Sequence, residues 1–220
     1  YDYDKWSFID PKEAQKKLNL PRNPRDYTSI AVTTDDSNDE IVYASSMGDG
    51  VIQYKNGTPV QSYNEKNAFK ETAGGYGSGY CYIDGLAFDK NGNLWMTSSE
   101  VNHAVLVLDK AGAWHRLDIE QLRGVYTIND ILITSTNDKW IYVPRNTPKL
   151  VMIPNSESLD EVSSYEFTTL IDTDGKELTP SNYTCVAEDK DGYIWVGTNR
   201  GAVYFTKPRI SSAEDKAATR

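Results

Sequence analysis

Hydrophobic positions in this chain fall in short alternating runs broken by turn residues. They do not follow the i, i+3, i+4, i+7 spacing of an amphipathic helix, so the pattern reads as β-strands. Strands are predicted near 28–33, 40–46, 50–54 and 58–63, then near 83–88, 93–98, 104–109 and 113–118. A third set falls near 128–133, 139–143, 149–153 and 164–170, and a fourth near 183–188, 193–197 and 201–206. The fourth set lacks an outer strand, to be supplied from Ser211 onward or by residues 1–9. Lys5-Trp-Ser-Phe-Ile-Asp10 is similar to the outer-strand run Ala113-Trp-His-Arg-Leu-Asp118. Residues 11–20 predict a short helix, with Pro11 early and Lys16 and Lys17 near its end.

The sets repeat in sequence as well as in pattern. Gly85-Leu-Ala-Phe-Asp-Lys-Asn-Gly-Asn-Leu-Trp95 aligns without gaps with Cys185-Val-Ala-Glu-Asp-Lys-Asp-Gly-Tyr-Ile-Trp195. Ile131 to Val143 forms a third copy, with Asn137 at the Gly92 position and Trp140 at the Trp95 position. Ile30 to Ser45 is a weaker first copy in which Ile41 or Val42 replaces the Trp. The Trp spacings are 45 and 55 residues, within the range of propeller blades. We therefore expect an all-β fold, a β-propeller of about four blades of four antiparallel strands, set within a larger propeller. Residues 1–220 read as one domain or propeller fragment. Residues 1–24 hold the preceding outer strand and the helix, and blades lie near 25–64, 80–119, 126–171 and 182–220. Gly92 and Gly192 supply the positive φ of the first hairpin turn. Trp95, Trp140 and Trp195 recur at one position and are expected to pack between blades.

Charge narrows the partners. Lys plus Arg is 23 and Asp plus Glu is 32, a net charge of −9. That balance disfavours nucleic acid and anionic membrane surfaces. No apolar run reaches the roughly 18 residues of a membrane span, so no insertion is expected. The chain begins at Tyr1 and ends in a polar stretch, which fits a piece of a larger parent chain. The two cysteines, Cys81 and Cys185, fall in different registers of non-adjacent copies and read as free.

Candidate chemistry is sparse. His103 and His115 are the only histidines, and both read as polar surface residues. No nucleophile elbow and no His or Cys metal spacing occurs, so no catalytic residue, metal or cofactor is expected. The acidic turns around Asp89, Asn91, Asp189 and Asp191 lack the ligand count of a calcium loop, and Asp172 to Glu177 is too short for one. Thr72-Ala-Gly-Gly-Tyr76-Gly-Ser-Gly-Tyr80-Cys-Tyr82 joins one blade to the next. Such joins share a propeller face with the turns between second and third strands. That face would gather Tyr76, Tyr80, Tyr82, Asn102, His103, Arg145, Asn146, Asn199 and Arg200, groups suited to a glycan or peptide.

The run Cys185 to Tyr204, with its Asp-x-x-Gly turn and Trp-Val-Gly-Thr strand, resembles the two-component-regulator propeller repeat of bacterial sensors. The order of Ala44 to Gly57, Tyr63-Asn64 and the Gly85 and Gly201 copies resembles PorZ-type surface proteins of type IX secretion. This resemblance implies export to the periplasm or cell surface, no enzymatic activity, and binding of an envelope protein or glycan. The sensor resemblance implies instead a periplasmic saccharide-sensing domain of a hybrid two-component system. Gly85 to Trp95 also resembles gluconolactonase-like propellers and streptogramin lyases, which implies a channel metal. Asp84, Asp130 and Glu188 could stand in for its ligands, though they do not share one register.

Overall fold

The computed structural model describes residues 8–74, 79–172 and 174–206. It opens with helix α1, Pro11–Leu18, started by Asp10, whose carboxylate accepts from Lys12 N at 2.9 Å, and ended by left-handed Asn19. Four antiparallel meanders follow. The first holds β1 (Tyr27–Thr34), β2 (Glu40–Gly48), β3 (Gly50–Lys55) and β4 (Thr58–Tyr63). The second holds β5 (Cys81–Phe88), β6 (Leu94–Ser98), β7 (Val105–Leu108) and β8 (Trp114–Leu117). The third holds β9 (Ile131–Ile133), β10 (Lys139–Val143), β11 (Lys149–Ile153) and β12 (Tyr165–Phe167). A two-stranded hairpin follows, β13 (Leu170–Ile171) with β14 (Glu177–Leu178). The last meander is β15 (Tyr183–Glu188), β16 (Ile194–Thr198) and β17 (Gly201–Phe205). The first two sheets are joined where Met47 pairs with Tyr82 and Gly48 with Cys81.

Alternation along each strand gives every sheet two apolar faces, and the core lies between successive sheets. Val51, Ile83, Leu86 and Met96 fill the first junction. Trp95, Ile131, Ile141 and Val151 fill the second, and Trp140, Phe167, Val196 and Phe205 the third. Helix α1 covers part of the outer face of the first sheet, with Ala14 against Ala44, Ile52 and Tyr54. Stacked meanders of this kind form a β-propeller.

The Asp-x-x-Gly turns explain why the repeat exists. Asp89 Oδ1 accepts from the amides of Asn91 and Asn93 at 2.9 and 2.8 Å, and Oδ2 accepts from Trp95 Nε1 at 2.9 Å. Asp189 does the same for Asp191, Tyr193 and Trp195. One carboxylate thus closes the hairpin and fixes the indole. Gly92 has φ +84°, and Asn137 takes the same position with φ +68°. Gly85 has a different role: a Cβ there would fall 2.8 Å from Ile131 N, so the second and third sheets can close only on a glycine.

Three expectations need correction or fall outside view. Trp95 and Trp140 are buried as expected, but Trp195 is 40% exposed, stacked on Tyr204 with ring centroids 4.8 Å apart. Its sheet is the last of the described residues, so nothing described covers that face. The third outer strand ends at Phe167 rather than near 170, because Leu170 leaves it to pair with Leu178. The strand predicted from Ser211 lies outside the described residues, as do residues 1–7 of the outer strand predicted at 1–9, while Phe8 and Ile9 are exposed and belong to no strand.

Candidate functional site

The turns between second and third strands and the described residues of the long join, 64–74 with 79 and 80, lie at one end of the meanders. Arg22, in the segment after α1, reaches across this end. Its guanidinium binds Asp49, donates to Gly48 O at 3.1 Å and lies 4.7 Å from the centre of the Tyr80 ring. Gly48 and Gly50 flank Asp49 with φ +114° and +79°. They bend the β2–β3 turn so that Asp49 meets the guanidinium. Tyr80 meets Tyr82 edge to face, with centroids 6.1 Å apart. Beside this platform a small cleft of about 100 Å³ is walled by Arg22, Asp49, Asn64 and Glu65.

A second clasp holds the join to the β6–β7 turn. Glu71 Oε2 accepts from Asn102 N at 2.6 Å, and Oε1 pairs with His103 Nδ1. Partial burial pushes the Glu71 carboxyl upward, but the His103 bond and the two amides outweigh it and hold it below the usual carboxylate range. Nearer the inner strands, burial pushes Asp84 up to about 7, against the stabilising bonds from Ser99. Its Oδ2 accepts from Ser99 Oγ at 2.7 Å, and Ser99 Oγ accepts in turn from Ile128 N.

The remaining predicted residues separate into smaller groups. Asn199 accepts from the amides of Ser181 and Asn182, which makes it a staple for the entry to β15. Arg145, Asn146 and Arg200 are exposed on neighbouring turns of the same end. Tyr76 lies outside the described residues. The three inner-strand acids go to separate partners. Asp84 takes Ser99, Asp130 takes Ile131 N at 2.9 Å, and Glu188 takes the Ser135 hydroxyl and amide. Among the described residues no group of three His, Cys, Asp or Glu could hold a metal ion. His115 bridges Asp109 at 3.0 Å and Asp160 at 3.4 Å, an outer-rim tie from β8 to the β11–β12 connection.

With this geometry in hand, comparison with known proteins is informative about fold. The family model described as two component regulator propeller matches residues 177–200. The chain is similar to PorZ, a surface component of the type IX secretion system of Porphyromonas gingivalis. The TM-score is 0.83 at 21% identity, over 100% of this chain and 30% of that one. It is also similar to an extracellular domain assigned to a hybrid two component system of B. thetaiotaomicron. There the TM-score is 0.59 at 15% identity, over 88% of this chain and 23% of that one. A Bacteroides uniformis protein assigned as a 6-phosphogluconolactonase matches with a TM-score of 0.51 at 10% identity, over 89% of this chain and 53% of that one. No curated protein matches. The chain thus spans less than a third of PorZ. At these identities the likeness shows the propeller fold.

Sequence reasoning missed Arg22, Asp49, Glu65 and Glu71. Asp49 carries a signal, since a Gly-Asp-Gly turn presents its carboxylate on a sharply bent backbone. Arg22 and Glu71 carry none, because their partners lie 27 and 32 residues away along the chain.

Proposed function

We propose that this chain is a non-catalytic recognition module of the cell envelope, exported to the periplasm or surface. It binds an envelope protein or a surface glycan through the end that carries Tyr80, Tyr82 and Arg22. The observation that carries this reading is the platform itself. Two tyrosines meet edge to face, a clamped guanidinium lies over one of them, and an amide- and carboxylate-lined cleft stands alongside. Rings with polar tips beside fixed donors and acceptors bind ligands without doing chemistry on them. The separate partners of Asp84, Asp130 and Glu188 favour this over a metal-dependent lactonase or lyase.

The test uses the purified chain on an array of bacterial envelope glycans, with envelope fractions for protein capture in parallel. Binding that falls about tenfold or more in Tyr82→Ser, with an unchanged melting temperature, supports the reading. Binding unaffected by Tyr82→Ser and Tyr80→Ser would place recognition elsewhere. Stoichiometric divalent metal with lactone turnover would replace it with the enzyme reading.

A further inference from the structure

The opposite end of the meanders carries a different feature. Between the first and second sheets runs a groove of about 510 Å³, in the size range of ligand sites. It extends from the β1–β2 turn to the β7–β8 turn, and its floor is Ile41, Tyr43, Phe88 and Leu94. At the other two junctions a buried indole, Trp95 or Trp140, occupies this place.

The register shows why. Trp95 pairs with Ala87 and Val107, and Trp95, Trp140 and Trp195 each stand six residues past the first turn residue. Ile41 stands six residues past Asp35 and pairs with Thr33 and Lys55. It is the first sheet's Trp position, and Val42 faces the other way. The exchange is matched chemically. Where Asp89 Oδ2 takes the indole N–H, Asp35 Oδ2 takes Lys55 Nζ at 2.7 Å, and Asp39 shares that ammonium at 2.8 Å. The Asp therefore keeps a partner while the indole volume is left open.

The rim is polar and partly unused. Gln53 lines the groove and spends its Oε1 on the Tyr63 hydroxyl at 2.9 Å, which leaves its NH₂ for a ligand. The side chains of Asp36 and Lys110 make no ion pair or hydrogen bond among the described residues, and they stand on opposite walls. We infer that this groove is a binding site for an extended peptide segment. The segment would insert one aromatic side chain over Ile41, where the other junctions hold their own Trp. Its backbone would meet the Gln53 amide, and its neighbouring charges would meet Asp36 and Lys110. The site is separate from the Tyr80 face.

The probe is N-acetyl-L-tryptophanamide, an indole with a peptide group on each side, titrated into the ¹⁵N-labelled chain. Methyl α-D-glucopyranoside serves as the saccharide comparison. The expected result is saturable shifts at the amides of Thr33, Thr34, Gly92 and Lys110, with a Kd on the order of millimolar for a ligand this small. Ile41→Trp fills the groove from its floor and should weaken binding about tenfold or more while leaving the rest of the spectrum native. Should Ile41→Trp fail to fold, Thr33→Trp, at the residue that pairs with Ile41 and shares its face, blocks the same groove from its wall. Shifts that do not saturate, that fall elsewhere, or that persist in both folded variants would overturn the inference. So would saturable shifts with the glucoside and none with the amide.

Discussion

Trp95 and Ile41 occupy the same place in successive sheets, yet they build opposite junctions. Trp95 is 1% exposed, with its N–H on Asp89 and Lys139 Nζ 4.4 Å from the centre of the ring. The second junction is thereby sealed by one side chain. Ile41 is equally a core residue by burial, at 7% exposed, but its branch stops short of the neighbouring sheet, and a groove remains. The turn is the same in both, and the backbone hydrogen bonds of the hairpin are the same. The junction is thus decided by the volume at one position, and the turn carboxylate adapts to whichever donor that position leaves it.

The largest test of this contrast removes the side chains. Trp95→Ala and Trp140→Ala should each cost about 3–5 kcal/mol in urea denaturation, whereas Ile41→Ala should cost only about 1–2 because the groove already reaches it. Equal losses at the three positions would break the comparison. The next test concerns the staple. Asp89→Ala strands an indole N–H and two turn amides, and should cost about 2–3 kcal/mol. The third junction provides its natural counterpart, since Thr134 replaces Asp and Trp140 Nε1 has no partner. Thr134→Asp should therefore raise stability by about 1 kcal/mol, read as a higher melting temperature. No gain would mean that the carboxylate's desolvation offsets the new bond.

The smallest effect is a pH dependence at the first junction. Hydrogen bonds from Lys55 hold Asp35 and Asp39 below the usual carboxylate range. A depressed carboxylate stabilises the fold above its unfolded pKa, and the contribution is lost as pH falls through the folded value. Melting temperatures recorded from pH 6 down to pH 3 should thus fall more steeply in the native chain than in Lys55→Met. Parallel curves would show that these exposed pairs contribute nothing.

Much of the fold was legible because turn chemistry and alternation agree. Strand β10 runs over Lys139–Val143, as alternation and the Asn137 turn predict, and β3 and β4 fall within a residue of expectation. Turn spacing narrowed the first copy's Trp position to Ile41 or Val42, and the pairing of Ile41 with Thr33 and Lys55 decides between them. The β13–β14 hairpin was missed because its strands are two residues each, too short for any period to register. The exposure of Trp195 was not legible either. Burial depends on what stacks against a sheet, and a repeat specifies only the sheet. Topology alone put Tyr80, Tyr82, Asn102 and His103 on the face proposed above for binding. The guanidinium that organises Tyr80 comes from a segment outside the repeat, where no pattern predicts its reach.

The contrasting cysteines give the last sheet a built-in reporter. Cys81 is buried, with its thiol pushed up to about 12 by that burial, and alkylates slowly for both reasons. Cys185 is exposed on the same open face as Trp195 and opposite Gly197, whose missing side chain leaves the sulfur approachable. A maleimide should consequently tag a single sulfur in the native chain. The tagging rate then becomes a footprint of coverage: it drops wherever another surface lies on that face, whether in a longer chain or in an assembly.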